Sequence, residues 1–88
     1  MRGEKVLNRR VWKIRHLRPY ARLTLLAMTH TADFTGKVKT TPRKIAHMLN
    51  CDVGTVRRAM RSLHDDGIVE WIDVRGGRGR DNTYRLTL

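Results

Sequence analysis

Residues 52–67 read Asp-Val-Gly-Thr-Val-Arg-Arg-Ala-Met-Arg-Ser-Leu-His-Asp-Asp-Gly, and this stretch predicts one helix. Asp52 has the short acceptor side chain favoured at an N-cap, and Gly67 can adopt the left-handed conformation that closes a helix. Four apolar residues recur at the i, i+3, i+4, i+7 spacing of a buried stripe: Val56, Ala59, Met60 and Leu63. The opposite side carries Val53, Thr55, Arg57, Arg58, Arg61 and Ser62. Such a face suits the DNA major groove, where arginine reads guanine, although solvated basic helices share the pattern.

The residues before this helix predict a shorter helix that meets it at a tight turn. Thr41 is a candidate N-cap, with Pro42 at the first helical position. The apolar side of this helix is expected to carry Ile45, Met48 and Leu49. Asn50 tolerates a left-handed C-cap, so that only Cys51 separates the two helices. Helices joined this closely cross at a steep angle, which is helix-turn-helix geometry.

A third helix is predicted to begin at Pro19 and to end between Thr31 and Phe34. Its apolar positions are Leu17, Ala21, Thr24, Leu25 and Met28, widened by Leu23 and Leu26. This pattern predicts a largely buried core helix with a supporting role. Thr35 and Gly36 then form a turn, and residues 37–39 are expected to be the edge strand of a small sheet.

The end of the chain predicts a β-hairpin. Residues 68–74 are rich in β-branched and aromatic side chains, and residues 83–88 alternate apolar with polar ones. Trp71 or Ile72 must be partly exposed, because both faces of so small a strand cannot be buried. Residues 75–82 between them are glycine-rich and cationic, which favours close approach to a phosphate backbone. The alternative is a mobile loop whose arginines keep the strand edge soluble.

Residues 1–16 are strongly basic and form either an N-terminal arm or a short helix. As a helix, the segment would pack Trp12 and Ile14 on the domain. As an arm, it would lie along phosphates, with Arg9, Arg10 and Lys13 as candidate contacts; a partly disordered, solvated tail is equally compatible with the composition.

Composition points to a polyanionic partner. The 88 residues contain 19 Lys and Arg against 8 Asp and Glu, which gives a formal net charge of +11. For a chain of this size and charge, nucleic acid is the first partner to consider. No stretch approaches the ~18 apolar residues of a membrane span, and no secretory signal pattern is present. Cys51 is the single cysteine, so no internal disulfide can form, and a prokaryotic or phage-infected host cytoplasm is the expected compartment.

From about Leu17 to Leu88 the pattern resembles the winged helix-turn-helix superfamily. The resemblance is carried by Thr-Pro-x-x-Ile-Ala-x-x-Leu-Asn at 41–50, by Val-x-Thr-Val-Arg-Arg-Ala-x-x-x-Leu at 53–63, and by Asp-Gly-Ile-Val-Glu at 66–70. A Gly/Arg-rich wing ending in Asn-Thr-Tyr-Arg-Leu at 82–86 completes it. The closest likeness is to short helix-turn-helix domains of phage and plasmid replication initiators and small regulators. The expected fold is α+β: three core helices and a two- or three-stranded wing sheet over residues 17–88, with an extra N-terminal helix as an option.

The resemblance also implies which residues contact double-stranded DNA. The third core helix would enter the major groove, and the wing would touch the flanking backbone or minor groove. Implied base contacts are Val53, Thr55, Arg57, Arg58 and Arg61. Implied backbone contacts are Thr41, Arg43, Lys44, Arg75, Arg78 and Arg80. The chain departs from the family pattern at three positions. Asn50 stands where glycine is usual, and Asp52 stands where serine or threonine is usual. The third departure is Gly54 in the first turn of the helix.

Residue types for catalysis or metal binding are present without the required spacing. The four histidines share no ligand spacing, and Cys51 has no partner thiol, so no zinc site or cofactor is expected. Ser62 lies in mid-helix without the glycine-flanked turn of a serine nucleophile. Asp65 and Asp66 are adjacent carboxylates, but no other residue pattern indicates a cleft in which they could act as an acid/base pair. An enzyme is therefore not expected.

Two further hypotheses stay open at this point. Trp12 and Trp71 exceed what so small a core needs, which would suit a protein-interaction module in a replication or recombination complex. RNA binding shares the charge argument, but the sequence lacks a stacking platform of aromatics on a sheet. A homodimer, or a replication or transcription protein as partner, is compatible with the sequence, although no heptad or dimer helix is apparent.

Overall fold

The computed structural model describes residues 2–75 and 80–88, with side chains described from residue 7 onward. This part of the chain forms four helices and a three-stranded antiparallel sheet with strand order β1-β3-β2. In chain order these elements are α1 (Arg2–Lys13), α2 (Pro19–Thr31), β1 (Lys37–Thr40), α3 (Pro42–Leu49), α4 (Val53–Asp65), β2 (Val69–Asp73) and β3 (Asn82–Leu86). The predicted α+β winged-helix layout is confirmed, with the optional N-terminal helix present.

Helix α2 lies at the centre of the core and packs against α1, α3, α4 and β1. Leu25 and Met28 of α2 are fully buried, together with Val56 and Leu63 of α4. Leu23 is 43 % exposed, contrary to the prediction that it widens the apolar stripe. The buried side of α2 is centred on Leu25 and Met28, and Leu23 lies on the opposite side of the helical wheel because two helical positions correspond to about 200°.

Helix α1 belongs to the same core rather than forming a separate arm. Leu7 and Val11, one helical turn apart, are buried, and Ile14 packs partly against the core. Trp12 is 61 % exposed, so the prediction that it packs on the domain is wrong. Successive residues of a helix are about 100° apart, and Val11 points directly into the core. Trp12 is therefore turned away from the core.

Arg22 of α2 caps the C-terminal end of α1. Its guanidinium donates to the Val11 carbonyl, which also accepts from the Ile14 amide, at 2.9 Å and to the Ile14 carbonyl just beyond the helix at 2.5 Å. The same guanidinium lies 5.4 Å from the centre of the Trp12 ring, within cation–π range. One side chain therefore holds α1 onto α2.

A buried hydroxyl of α2 lacks a partner. Thr24 is fully buried, and its Oγ1 has no hydrogen-bond partner among the residues that the structure describes. Thr24→Val replaces this hydroxyl by a methyl group of the same shape. We expect it to raise the free energy of unfolding by about 1 kcal/mol, measured by chemical denaturation.

Thr29 provides the matched control for this substitution. It is equally buried on the same helix, but its Oγ1 donates to the Leu26 carbonyl at 2.7 Å and accepts from Asn8 at 3.4 Å. Thr29→Val should therefore lower the free energy of unfolding, because the half-buried Asn8 amide loses its acceptor and the Leu26 carbonyl loses this donor. Equal signs for the two substitutions would contradict this reading of the core.

The turn from α2 into β1 is closed by Asp33 and Gly36. The Asp33 carboxylate accepts from the Thr35 hydroxyl, the Thr35 amide and the Lys37 amide, and these bonds lower the pKa of its carboxyl. Gly36 has φ +85° and lies so close to the Leu86 carbonyl that a Cβ would be 3.0 Å from it. The turn delivers β1 to the edge of the sheet, as predicted, with Val38 buried and Lys39 pointing outward.

Candidate nucleic-acid interface

The α3–α4 pair has the helix-turn-helix geometry that the sequence predicts. The Thr41 hydroxyl accepts from the Lys44 amide at 3.1 Å and caps α3, and Pro42 begins the helix. Asn50 ends α3 in the left-handed conformation with φ 53°. The Asp52 carboxylate accepts from the Thr55 amide at 3.2 Å and caps α4. Each of these predicted caps is confirmed, and together they fix the direction in which α4 leaves α3.

The apolar side of α3 differs in one position from the expected set. Ile45 and Ala46 are buried and Leu49 is packed partly against the core, whereas Met48 is 45 % exposed. The contact side is centred between Ile45 and Ala46, and Leu49 extends it by one turn. Met48 lies on the flank of that side, because successive helical positions are about 100° apart.

Helix α4 is divided into a buried back and an exposed cationic front. All four residues of the predicted stripe are buried: Val56, Ala59, Met60 and Leu63. Arg57, Arg58 and Arg61 are exposed. Thr55 is half-buried, and Val53 is half-buried and packed against the core, which leaves Val53 less of its side chain for an outside partner than the arginines have.

A groove of about 970 Å³ runs between the helix-turn-helix and the β2–β3 hairpin. Cations from three elements line it: Arg43 and Lys44 from α3, Arg57 and Arg61 from α4, and Arg80 at the entrance to β3. Its apolar lining includes Met60, Trp71, Val74 and Tyr84. Helix α4 and both strands of the hairpin therefore border one groove.

The arginines of α4 separate into two groups. Arg57 and Arg61, one turn apart, line the groove. Arg58 is outside the groove lining and donates to the Thr55 hydroxyl at 3.3 Å. The helix therefore presents two cations toward the hairpin and a Thr55–Arg58 pair at its N-terminal half.

Two of the predicted backbone-contacting cations form ion pairs. The Lys44 ammonium is 2.7 Å from the Asp81 carboxylate and ties α3 to the start of β3 across the groove. Arg75 is 3.0 Å from Asp73 within its own hairpin arm. Both pairs are largely exposed, so each contributes little to stability and can exchange its carboxylate for a phosphate. Arg78 lies outside the described residues.

Gly54 leaves room for the cap of α4. A Cβ at this position would be 2.8 Å from the Asp52 carboxylate oxygen that accepts from Thr55. The other nearby side chain is Arg58, whose guanidinium nitrogen would be 3.6 Å from that Cβ.

Asp52 offers a direct test of this cap. Asp52→Ala should lower the free energy of unfolding by about 1 kcal/mol, because the Thr55 amide loses its acceptor. Asp52→Ser keeps an acceptor and should stay within about 0.5 kcal/mol of the original chain. Chemical denaturation of both variants measures the difference, and equal losses would show that the carboxylate acts through its charge rather than as a cap.

The floor of the groove is formed by inward-facing residues of β2 and β3. Tyr84 is buried, and its hydroxyl accepts from the Asn82 side-chain amide at 3.0 Å. Burial raises the pKa of the Tyr84 phenol, so the group stays neutral beside an anionic ligand. Trp71 lies opposite Tyr84 in the strand register and stacks on His64 of α4. Trp71 faces the groove because alternate residues of a strand share one face and Val69, two residues earlier, is buried. The sequence contains this alternation, but the prediction did not use it.

The cations of α1 lie away from this groove. Arg10 donates to the Leu88 carbonyl at 2.6 Å, beyond the end of β3. Asn82 lines the groove at the other end of this strand, and Leu86 is already about 13 Å farther along it at the usual strand rise. Arg9 and Lys13 are exposed on the same helix. The structure therefore does not bring these three candidate arm contacts together with the groove cations.

Metal-binding groups do not converge: within residues 2–75 and 80–88, no three His, Cys, Asp or Glu side chains form a set that could hold a metal ion. Among the helices in these ranges, none combines the length and hydropathy that a bilayer crossing requires. Comparisons of the chain with protein-family models, with curated proteins and with solved structures find no match. Function must therefore be argued from the geometry and charge of the groove and of α4.

Proposed function

We propose that this chain is a sequence-specific double-stranded DNA-binding protein of the winged helix-turn-helix superfamily. Its cellular role would be that of a small bacterial or phage transcriptional regulator, or of a replication or recombination accessory factor. The observation that carries the proposal is the convergence of cations from α3, α4 and the start of β3 on one groove, beside the exposed arginine face of α4.

The proposed complex places α4 in the major groove, which is about 12 Å wide and admits a single helix. Arg58 and Thr55, outside the hairpin groove, would read base edges, because a guanidinium can donate to guanine and a threonine methyl can contact thymine. Arg57 and Arg61 face the hairpin, where the flanking DNA strand would pass. Arg43 and Arg80 would hold the phosphates of that strand from the two sides.

Unbalanced charge supports a phosphate partner for the groove. Asp81 pairs with Lys44, and among the residues that the structure describes the other four groove cations form no ion pair: Arg43, Arg57, Arg61 and Arg80. A net charge of +11 on 88 residues adds a long-range attraction to any polyanion. Counterions released from DNA would then supply much of the binding free energy.

A titration of a labelled random duplex at several salt concentrations tests the proposal. If the four unpaired groove cations each neutralise one phosphate, the logarithm of the binding constant should fall with the logarithm of salt concentration with a slope of about −3.6. A slope near zero, or no binding at low ionic strength, would contradict a phosphate-binding groove.

The wing arginines should act on all sequences alike. Replacing Arg78 and Arg80 together by alanine should weaken specific and random duplexes by the same factor and reduce the salt slope by at least about 0.9, which is the contribution of Arg80 among the four groove cations. Fluorescence anisotropy with one specific and one scrambled duplex measures both quantities. A loss confined to the specific duplex would instead assign these side chains to base reading.

A second candidate is a protein-interaction module, favoured by the exposure of Trp12. This side chain is 61 % exposed, yet it lies on a helix that Arg22 holds onto the domain. Its indole N–H donates to the Asn8 side chain at 3.2 Å, so the ring is positioned rather than free. Sedimentation of the pure protein with and without DNA distinguishes the candidates, because a self-associating module would form larger species without DNA.

A further inference from the structure

We infer that the groove between α4 and the hairpin binds an unpaired DNA base, stacked on Trp71, next to the duplex that α4 contacts. This inference rests on the proposed function, because α4 would hold the duplex part of the substrate. It specifies the substrate as duplex DNA that adjoins a single-stranded segment, such as a frayed end, a fork or a melted site.

Trp71 has the properties of a stacking platform. His64 of α4 lies parallel to the indole, with 4.2 Å between the ring centres and 19° between the ring planes. The His64 Nδ1 is in turn 3.3 Å from the Val69 carbonyl, which fixes the imidazole against β2. One face of the indole is thus supported, and Trp71 remains 39 % exposed in the groove lining. The exposed part of the indole, which lines the groove, is the surface that a planar ligand can cover.

The surroundings of Trp71 match the requirements of a nucleotide. Single-strand sites combine aromatic side chains, on which bases stack, with cations that follow the phosphate backbone. Trp71 shares its groove with Arg57 and Arg61 on one wall and with Arg80 on the other. The volume of about 970 Å³ lies at the upper end of the range of small-ligand sites, so a nucleotide with its flanking phosphates fits.

An intact duplex would leave this platform unused. Within B-DNA both faces of each base are stacked on neighbouring base pairs, so an indole beside the duplex can meet base edges, sugars and phosphates but no base face. A base must leave the stack before an aromatic side chain can cover its face. A supported indole among cations is therefore better matched to an unpaired nucleotide than to a phosphate backbone alone.

The two tryptophans of the chain make a direct optical test possible. Trp12→Phe leaves Trp71 as the single tryptophan, and Trp12 lies on exposed α1 outside the groove lining. This variant is titrated with a blunt duplex, with the same duplex carrying a short single-stranded tail, and with the tail strand alone. We expect the tailed duplex to quench Trp71 fluorescence strongly and to bind about tenfold more tightly than the blunt duplex at the same salt concentration.

Variants of Trp71 in the otherwise unchanged chain complete the test, with anisotropy of labelled DNA as the readout. Trp71→Leu should abolish the tenfold preference for the tailed duplex, and the ratio of the two affinities cancels any loss that is common to both substrates. Trp71→Phe keeps an aromatic face and should retain most of the preference. Phe34→Leu is the control, because Phe34 is 90 % exposed in the α2–β1 turn and does not line the groove.

The failures of the two proposals are distinguishable. Equal quenching by blunt and tailed duplexes, or a tail preference that survives Trp71→Leu, would overturn the unpaired-base site and leave duplex binding intact. Absence of blunt-duplex binding would contradict the proposed function, whereas quenching by the tail strand would then still support the groove site. If Trp71→Leu fails to fold, the Trp12→Phe titration decides alone.

Discussion

Replacing Arg57 and Arg61 together by alanine should weaken duplex DNA binding about 100-fold near physiological salt. Each guanidinium lines the groove without an ion-pair partner among the described residues, so each can make a charge-assisted bond to a phosphate. Two such bonds lost correspond to about 3 kcal/mol. The salt slope should fall by about 1.8 at the same time, as measured by anisotropy at several salt concentrations.

A charge-matched control separates the groove from net charge. Lys39 and Arg85 are both exposed on the outer side of the sheet, since Val38 and Tyr84 beside them point inward. Replacing these two by alanine removes the same charge, and we expect less than about threefold weaker binding because they contact DNA only at long range. Equal losses from both double variants would contradict a defined interface and favour nonspecific attraction.

Leu25→Ala should lower the free energy of unfolding by about 3 kcal/mol. Leu25 is fully buried in α2, the helix that packs against α1, α3, α4 and β1. Truncation removes buried apolar surface and leaves a cavity. The four elements that surround the cavity cannot all move inward to fill it. For a domain of this size the midpoint of thermal unfolding should fall by roughly 15 °C, measured by circular dichroism.

Leu23→Ala is the matched control, because it makes the same chemical change two residues away on the same helix. Leu23 is 43 % exposed, so its truncation should change the free energy of unfolding by no more than about 0.5 kcal/mol. Similar losses for the two variants would contradict the orientation of α2 that the structure gives.

Local signals predicted most of the fold. The caps at Thr41, Asn50 and Asp52 and the proline at position 42 depend on interactions within a few residues, so a single sequence reveals them. The buried stripe of α4 follows from helical period alone.

Properties that depend on neighbouring elements were harder to predict. Trp12, Leu23 and Met48 are apolar and lie beside buried residues, but the element that covers each helix decides which side is buried. The capping of α1 by Arg22 joins residues from two helices, and no residue spacing in the sequence predicts it. Which arginines of α4 line the groove likewise depends on where the hairpin lies, so sequence alone could not separate Arg57 and Arg61 from Arg58.

Selection of bound sequences from a random duplex pool, for the original chain and for Arg58→Ala, tests the central claim most directly. The claim is that the exposed front of α4 reads base edges while the groove cations hold the backbone. The account predicts an enriched motif for the original chain and a relaxed preference at one or two positions of that motif for Arg58→Ala. No enrichment with the original chain, or an identical motif with both proteins, would contradict it.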